Sequence, residues 1–215
     1  MNYPHFLCIT LLAAILLAGC GTDTPKDSSA APPAQTQQQA PAISAASEAL
    51  YADGEKAYGQ FDYDKAISLF DKAIAADKNN YKALSGKGVA MAMRGNSSGN
   101  KKDVTGGIAL IQEALKLAPD YVPSFYDLAL SYKINGQYDE SIQWFQKVIA
   151  REPDNTWSYY GIATIYGDQG NARDALIYLK EAAALDNTNV KDAARTQSHF
   201  DKIRHTKEFT AWINE

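Results

Sequence analysis

Residues 122–155 read VPSFYDLALSYKINGQYDESIQWFQKVIAREPDN, and this stretch decides the fold. Its apolar residues, such as Ile142 and Phe145, recur at the spacing that places them on one face of a helix. The segment NGQY at 135–138 is rich in turn-forming residues and separates two such helical runs. Pro153 ends the second run, because proline lacks the N–H that a helix interior requires. The stretch therefore predicts two helices joined by a short turn.

This 34-residue pattern occurs four times. Blocks 47–80 and 156–189 align with 122–155 without gaps, and block 81–121 aligns when the seven residues 96–102 are set aside. Each block carries a small residue at position 8, another at position 20 and a large apolar residue at position 24. In block order these residues are Gly54, Gly88, Ala129 and Ala163, then Ala66, Gly107, Ser141 and Ala175, then Phe70, Ile111, Phe145 and Leu179.

The period and these positions resemble the tetratricopeptide repeat (TPR). The resemblance implies an all-α protein, a right-handed α-solenoid of four helix-turn-helix repeats. The expected repeats are 47–80, 81–121 with the insertion 96–102, 122–155 and 156–189. We expect the insertion to project as a mobile loop between the two helices of the second repeat, either as a tolerated surface insertion or as a binding element.

Residues 190–215 are expected to form a C-terminal cap. The segment HFDKIRHTKEFTAWI resembles one that often ends such arrays. We expect a helix around Ala193 and Ala194, and burial of four apolar side chains against the last helix pair. These are Phe200, Ile203, Phe209 and Trp212. A repeat array needs such a cover because its final apolar face is otherwise exposed to water.

Residues 1–19 are expected to be a signal peptide. Residues 6–19 form an uncharged apolar run of 14, shorter than the roughly 20 residues that span a bilayer. The following Leu17-Ala18-Gly19-Cys20 resembles the lipobox of bacterial lipoproteins, which implies cleavage before Cys20 and acylation of that cysteine. The segment before the apolar run lacks Lys and Arg, and an uncleaved anchor or an ordinary secretory signal with a chance cysteine are the alternatives.

Residues 20–46 are expected to be the lipidated cysteine and a disordered linker. The stretch after Cys20 holds four prolines and four glutamines and has no apolar periodicity. A random coil of this length spans roughly 25–30 Å. The lipoprotein resemblance therefore implies an extracytoplasmic protein anchored to the lipid bilayer of the bacterial cell envelope. Because Gly21 follows the cysteine, we expect the protein to be anchored in the outer membrane of a host that has one. In any other host we expect it on the outer face of the cell membrane.

Composition argues against several classes of protein. The chain has 25 acidic and 21 basic residues, a net charge of −4, so we expect no nucleic-acid partner. Its two cysteines both lie in the first 20 residues and it has only three histidines, so we expect no metal and no cofactor. Neither a phosphate-loop motif nor a zinc motif is present, and we do not expect an enzyme.

The TPR resemblance implies that the first helix of each repeat lines a concave groove. The predicted binding residues are Tyr51, Glu55, Tyr58, Lys82, Met93, Tyr126, Leu130, Lys133, Trp157, Tyr160 and Thr164. Aromatic and methionine side chains are common at interfaces, although Tyr126 and Tyr160 could instead only pack on neighbouring helices. The expected function is a scaffold or assembly factor that binds another envelope protein, and the alternative is a lipoprotein that binds a small ligand or glycan on the groove aromatics.

Overall fold

The computed structural model describes residues 39–215. In this part of the chain there are ten α-helices, one short 3-10 helix at Ser198–Phe200 and no β-strand. The α-helices are α1 (Ala45–Gly59), α2 (Tyr63–Ala76), α3 (Tyr81–Ser98), α4 (Lys101–Leu117), α5 (Val122–Ile134), α6 (Tyr138–Arg151), α7 (Thr156–Asp168), α8 (Ala172–Leu185), α9 (Asn187–Thr196) and α10 (Lys207–Asn214).

Helices α1 to α8 form four pairs, and each pair packs on the next. The two helices of each pair contact each other most extensively, and α2, α4 and α6 also pack on the first helix of the following pair. The predicted all-α solenoid of four helix-turn-helix repeats is therefore confirmed.

Local sequence signals set the ends of these helices. Asn80 and Asn155 begin α3 and α7, where their side-chain oxygens accept backbone N–H groups at 2.8 and 3.1 Å. Gly136 and Gly170 take left-handed backbone conformations in the turns inside the third and fourth pairs. Phe61 holds the same turn position in the first pair with φ 61°, although a side chain makes this conformation unfavourable.

Large apolar side chains fill the space left by small residues at the helix crossings. Phe70 is fully buried against Gly54 of its own pair and Gly86 of the next pair. A Cβ atom at either glycine would lie 2.5 or 2.7 Å from the Phe70 ring. Phe145 sits in the same way against Gly161, where a Cβ would lie 2.6 Å from its ring. The Phe70 ring therefore joins the first repeat to the second, and the Phe145 ring joins the third repeat to the fourth.

The crossing of α3 and α4 is the tightest, because glycine stands on both sides. A Cβ atom on Gly88 would lie 2.6 Å from the carbonyl oxygen of Gly107, and a Cβ on Gly107 would overlap the carbonyl oxygen of Gly88. In the third pair the corresponding close approach is used for a hydrogen bond, in which the Ser141 hydroxyl donates to the Ala129 carbonyl oxygen at 2.7 Å.

The expectation of a mobile loop at 96–102 is wrong. Helix α3 continues through Ser98 and α4 begins at Lys101, so only Gly99 and Asn100 lie between the helices. Gly99 ends α3 in the left-handed conformation, and the Asn100 side chain caps α4. Most of the inserted residues therefore continue α3 at its end or begin α4, so the insertion lengthens the two helices.

Arg94 supports these added turns. Its guanidinium contacts Asp103 of α4 at 2.8 Å and Asp64 of α2 at 2.7 Å. One ion pair thus joins the two helices of the second pair, and the other ties the second pair to the first.

The predicted burial of the four cap side chains is confirmed. Phe200, Ile203, Phe209 and Trp212 are at most 4% exposed and join the core residues of α8. Helix α9 begins at Asn187, three residues before the expected boundary. Arg204 follows the aromatic segment and donates to carbonyl oxygens at the end of α9, including that of Gln197 at 2.7 Å. This guanidinium satisfies backbone groups that the helix end leaves without intrahelical partners.

The expected signal peptide at 1–19, Cys20 and most of the expected linker lie outside the described residues. The last two expected linker residues are helical, because α1 begins at Ala45 with Ser44 as its cap. The Ser44 backbone N–H also donates to Asp77 at 2.8 Å, which fixes the start of the folded part. Among residues 39–215, no helix is both long and apolar enough to cross a membrane.

Two adjacent glycines of α4 should respond in opposite ways to alanine. Gly107→Ala should lower the free energy of unfolding by about 2 kcal/mol or more, because its new methyl group meets a backbone that cannot move aside. Gly106→Ala should raise it by ~0.5–1 kcal/mol, since its methyl meets only the flexible end of Met91 at 3.2 Å and alanine favours helix. Urea unfolding of both variants checks this; similar effects at the two sites would contradict the close crossing.

Candidate functional site

The first helices of the four pairs form one face of the solenoid. Helix α3 packs beside both α1 and α5, and α5 also contacts α7. We call the face formed by α1, α3, α5 and α7 the groove. All eleven predicted binding residues lie on these four helices.

The predicted groove residues differ in how accessible they are. Trp157 is 44% exposed, and Glu55 is exposed as well. Tyr51, Tyr58, Met93, Tyr126 and Leu130 are half-buried against the core. By contrast, Tyr160 is 5% exposed and Thr164 is 2% exposed, so these two side chains belong to the interior. Tyr160 packs on the cap through Phe200, with ring centroids 5.8 Å apart.

Lys82 is committed to an ion pair. Its ammonium contacts the carboxylate of Glu48 at 2.7 Å across α3 and α1, and both side chains are partly exposed. Such surface pairs contribute little stability, so a ligand carboxylate could replace Glu48 as the partner of Lys82 at little cost.

Asp127 is not among the predicted binding residues, but it lies where α5 contacts α3. The Ser85 hydroxyl donates to its Oδ2 at 2.8 Å, and the Ser124 hydroxyl donates to Ser85 at 2.8 Å. Burial raises the pKa of the Asp127 carboxyl to about 7, with a further contribution from nearby Glu55. The Ser85 hydrogen bond opposes this rise in pKa without cancelling it.

Tyrosine side chains surround this carboxylate. Burial raises the pKa of Tyr121 to about 12, and the charge of Asp127 adds to that effect. The pKa values of Tyr51, Tyr58 and Tyr126 are raised in the same way, first by burial. The pKa of Glu55 is also raised by desolvation. All four tyrosines therefore stay neutral, and Asp127 and Glu55 give this part of the groove its negative charge.

A pocket of about 380 Å³ opens beside Asp127. Its lining consists of Val122, Pro123, Tyr126, Asp127, Val148, Glu152, Asn155 and Trp157, and we call it the Asp127 pocket. The Tyr126 ring is held edge-on against Phe145, with centroids 5.5 Å apart. Trp157 is held in the same manner against Tyr160 at 5.5 Å. The pocket thus combines rigid aromatic walls with carboxylates at its edge.

A second pocket, of about 350 Å³, is lined by residues of α3, α5 and α7 and contains Lys133. The Lys133 ammonium donates to Thr164 at 2.6 Å and lies 3.3 Å from His199 Nε2. The other ring nitrogen of His199 contacts the Asp168 carboxylate at 2.8 Å. Burial lowers the pKa of Lys133 to about 8, although the charge of Asp168 opposes this. This series of contacts from Asp168 through His199 to Lys133 holds the Lys133 amine in place and connects the cap to the groove.

The predicted binding residues of α5 are Tyr126, Leu130 and Lys133, and Asp127 is not among them. The available signal was that Asp127 is the one acidic residue of α5 and lies next to a predicted binding residue. His199 begins the segment expected to form the cap, and it contacts Lys133, which lies 66 residues earlier in the sequence.

The site contains the elements of a binding surface. Across residues 39–215, no three His, Cys, Asp or Glu side chains come together as ligands for a metal ion. The groove offers hydroxyl groups, carboxylates, one partly buried amine and exposed aromatic surface. These groups recognise a ligand through hydrogen bonds, charge and apolar contact.

Asp127 should make the stability of the fold depend on pH. Its pKa in the folded chain is about 7 against an ordinary 3.8, so the folded state retains this proton longer than the unfolded state. The contribution of this group to the free energy of unfolding therefore falls as the pH rises from about 4 to 7. Asp127→Asn should raise the free energy of unfolding by ~2 kcal/mol at pH 8, allowing for partial exposure, and by much less at pH 5.

Urea unfolding of both proteins at pH 5 and pH 8 measures this difference. The exposed Asp139→Asn substitution is the control and should show no such dependence on pH. An equal effect of Asp127→Asn at the two pH values would mean that the carboxyl titrates in its ordinary range.

Comparison with known proteins gives a consistent result. Residues 121–188 match the family model described as Tetratricopeptide repeat. The small glutamine-rich tetratricopeptide repeat-containing protein 2 of Mycosarcoma maydis is 27% identical over 119 residues. That match covers 55% of this chain and 32% of the relative, so the chain spans about a third of that protein's length.

Solved structures show the same fold. A structure of MamA from Desulfovibrio magneticus RS-1, from residue 41 to its end, superposes with a TM-score of 0.55 at 17% identity. It covers 80% of this chain and 96% of that one. The Cut9–Hcn1 hetero-tetramer of the APC/C gives a TM-score of 0.58 at 17% identity, over 68% of this chain and 29% of the other. Residues 121–188 thus carry the sequence pattern of the tetratricopeptide repeat family, and the described chain has the fold of a TPR solenoid.

Proposed function

We propose that this chain is a lipid-anchored, extracytoplasmic scaffold that binds another protein of the bacterial cell envelope through the groove. The observation that carries the binding role is the Asp127 pocket, where an exposed Trp157 stands beside a partly buried carboxylate on one face of a TPR solenoid. TPR solenoids serve as protein-interaction scaffolds, and repeat proteins use such extended faces for binding.

The geometry of the groove suits a protein segment. Its two pockets lie on the same face, and both are lined from α5 and α7. The side chains in them are held by core contacts and hydrogen bonds before any ligand arrives. Such preorganised aromatic residues contribute strongly at interfaces because little conformational entropy is lost on binding.

The proposed membrane anchor rests on the sequence around Cys20. Cleavage before Cys20 would leave a new N-terminal cysteine, whose thiol and amine carry acyl chains in lipoproteins that have this motif. One acyl chain holds a protein only marginally, whereas two or more hold it stably. Residues 21–44 then provide a tether before α1 begins. Anchoring would restrict both binding partners to one membrane surface, which raises their effective concentration.

The second candidate function is binding of a small molecule or glycan. The Asp127 pocket favours it through its volume of about 380 Å³, which lies within the range of small-ligand sites. An exposed Trp157 ring also offers an apolar surface on which a sugar ring can stack.

The anchor is tested by changing the proposed acylation site. Cys20→Ala should release the protein from the membrane fraction and remove the mass of the attached acyl chains. Mass spectrometry of the purified protein and cell fractionation measure the two effects. The matched control is Cys8→Ala, which changes the other cysteine and should leave the acylated product intact. A Cys20→Ala protein whose mass differs from that of the unchanged chain only by one sulfur atom would exclude lipidation at this residue.

The binding role is tested by removing one exposed groove aromatic. Trp157→Ala should abolish in-cell crosslinking to a specific envelope protein that the unchanged chain captures, since exposed tryptophans in pockets are frequent hot spots. Phe61→Ala removes an aromatic residue that is 76% exposed and outside the groove, and it should leave that capture intact.

Circular dichroism must first show that both variants keep their helical content. Equal capture by Trp157→Ala and the unchanged chain would contradict binding at the groove. Thermal stabilisation by cell-wall fragments that depends on Trp157, without any protein captured, would favour the second candidate function.

A further inference from the structure

We propose that the Asp127 pocket binds the side-chain cation of a lysine or arginine in an extended segment of the protein partner. This inference rests on the proposed protein-binding function and specifies the chemistry of its ligand. It follows from four features of the pocket: its charge, its unused acceptors, its aromatic walls and its apolar floor.

The charge of the pocket is negative. Among its eight lining residues, Asp127 and Glu152 are acidic and none is Lys, Arg or His. Glu55 lies close enough to Asp127 to raise the pKa of its carboxyl, so a third carboxylate contributes to the local field. A carboxylate removed from water is costly unless a cation accompanies it. A cationic ligand therefore gains more here than a neutral or anionic one.

Both lining carboxylates keep an oxygen available. Asp127 accepts the Ser85 hydroxyl at Oδ2, and no donor within residues 39–215 is paired with Oδ1. Glu152 accepts the Asn155 side-chain amide at Oε2 at 3.0 Å, and within the same described part of the chain Oε1 has no such donor. These contacts orient the carboxylates, while one oxygen of each remains for hydrogen bonds to an ammonium or guanidinium group.

The remaining walls suit the rest of a basic side chain. Trp157 and Tyr126 offer aromatic rings, and tryptophan is the strongest partner for a cation over a ring. Val122 and Pro123 provide apolar contact for the methylene groups of the ligand. A bare metal ion would use neither the rings nor the apolar surface. The volume of about 380 Å³ accommodates a long side chain together with adjacent backbone.

The other groove pocket is less negative than the Asp127 pocket. Lys133 places an amine there, close to His199 and Thr164. Because this amine offsets the charge of Asp168 in the same pocket, a basic side chain is attracted more strongly to the Asp127 pocket.

The test uses blocked pentapeptides of alanine with a central lysine, arginine, norleucine or glutamate. Norleucine retains the aliphatic chain of lysine without the ammonium, so it isolates the contribution of charge. The full chain in detergent solution carries 15N-labelled tryptophan, and titration follows the indole N–H signals. The signal of Trp157 is assigned by its loss in Trp157→Phe, and Trp144 and Trp212, which do not line the pocket, are internal references.

We expect the lysine and arginine peptides to shift the Trp157 signal and to bind at least about tenfold more tightly than the norleucine and glutamate peptides. Asp127→Asn should weaken binding of the lysine peptide by about tenfold or more, while the control Asp139→Asn should leave it unchanged. Equal binding of the lysine and norleucine peptides, no shift with any peptide, or an Asp127→Asn variant that binds as the unchanged chain does, would overturn the inference.

These results separate the inference from the proposed function. If the lysine peptide fails to bind while Trp157→Ala still loses a captured envelope protein, the cation site is wrong and the scaffold function stands. If the lysine peptide binds as expected but no envelope protein is captured through the groove, the cation site stands and the scaffold function is wrong.

Discussion

The close crossing of the two helices in each pair is the constraint on which the rest of the structure depends. Gly88 and Gly107 let α3 and α4 approach until backbone meets backbone. In the neighbouring repeats, Phe70 and Phe145 fill the corresponding space and reach the next repeat through Gly86 and Gly161. Because each ring contacts two repeats, the helix pairs cannot vary independently in position, and the spacing of α1, α3, α5 and α7 is fixed.

That fixed spacing creates the groove and its electrostatics. Ser85 on α3 reaches Asp127 on α5, and Lys133 on α5 reaches Thr164 on α7. These contacts join successive repeats on the groove side of the array and partly bury Asp127 and Lys133. Burial raises the pKa of Asp127 to about 7 and lowers the pKa of Lys133 to about 8, because it disfavours the charged form of each group. The framework therefore holds two titratable groups of opposite charge on one binding surface.

The sequence was sufficient to predict the repeats and the cap, because both follow from local patterns. The spacing of small and large residues marks the helix crossings, and the aromatic residues Phe200, Phe209 and Trp212 mark a cover for the last repeat.

The insertion at 96–102 was predicted to be a loop but is mostly helical. The side chains of Ser97 and Ser98 hydrogen-bond to the preceding turn of α3, and Arg94 forms an ion pair with Asp103 of α4. Asp127 and His199 could not be placed, because their partners are 42 and 66 residues away and depend on how the repeats stack. Tyr160 and Thr164 were predicted to bind a ligand, but Phe200 of the cap packs on Tyr160 and Lys133 contacts Thr164.

Binding of a partner at the groove is tested most directly by placing a photoactivatable amino acid at single positions of the chain in intact cells. Leu130 lies in the groove, and Ile177 is 51% exposed on α8 away from it. Irradiation should link the Leu130 position to one envelope protein and give no such product at Ile177. The same product from Ile177 and none from Leu130 would show that the partner binds elsewhere on the solenoid.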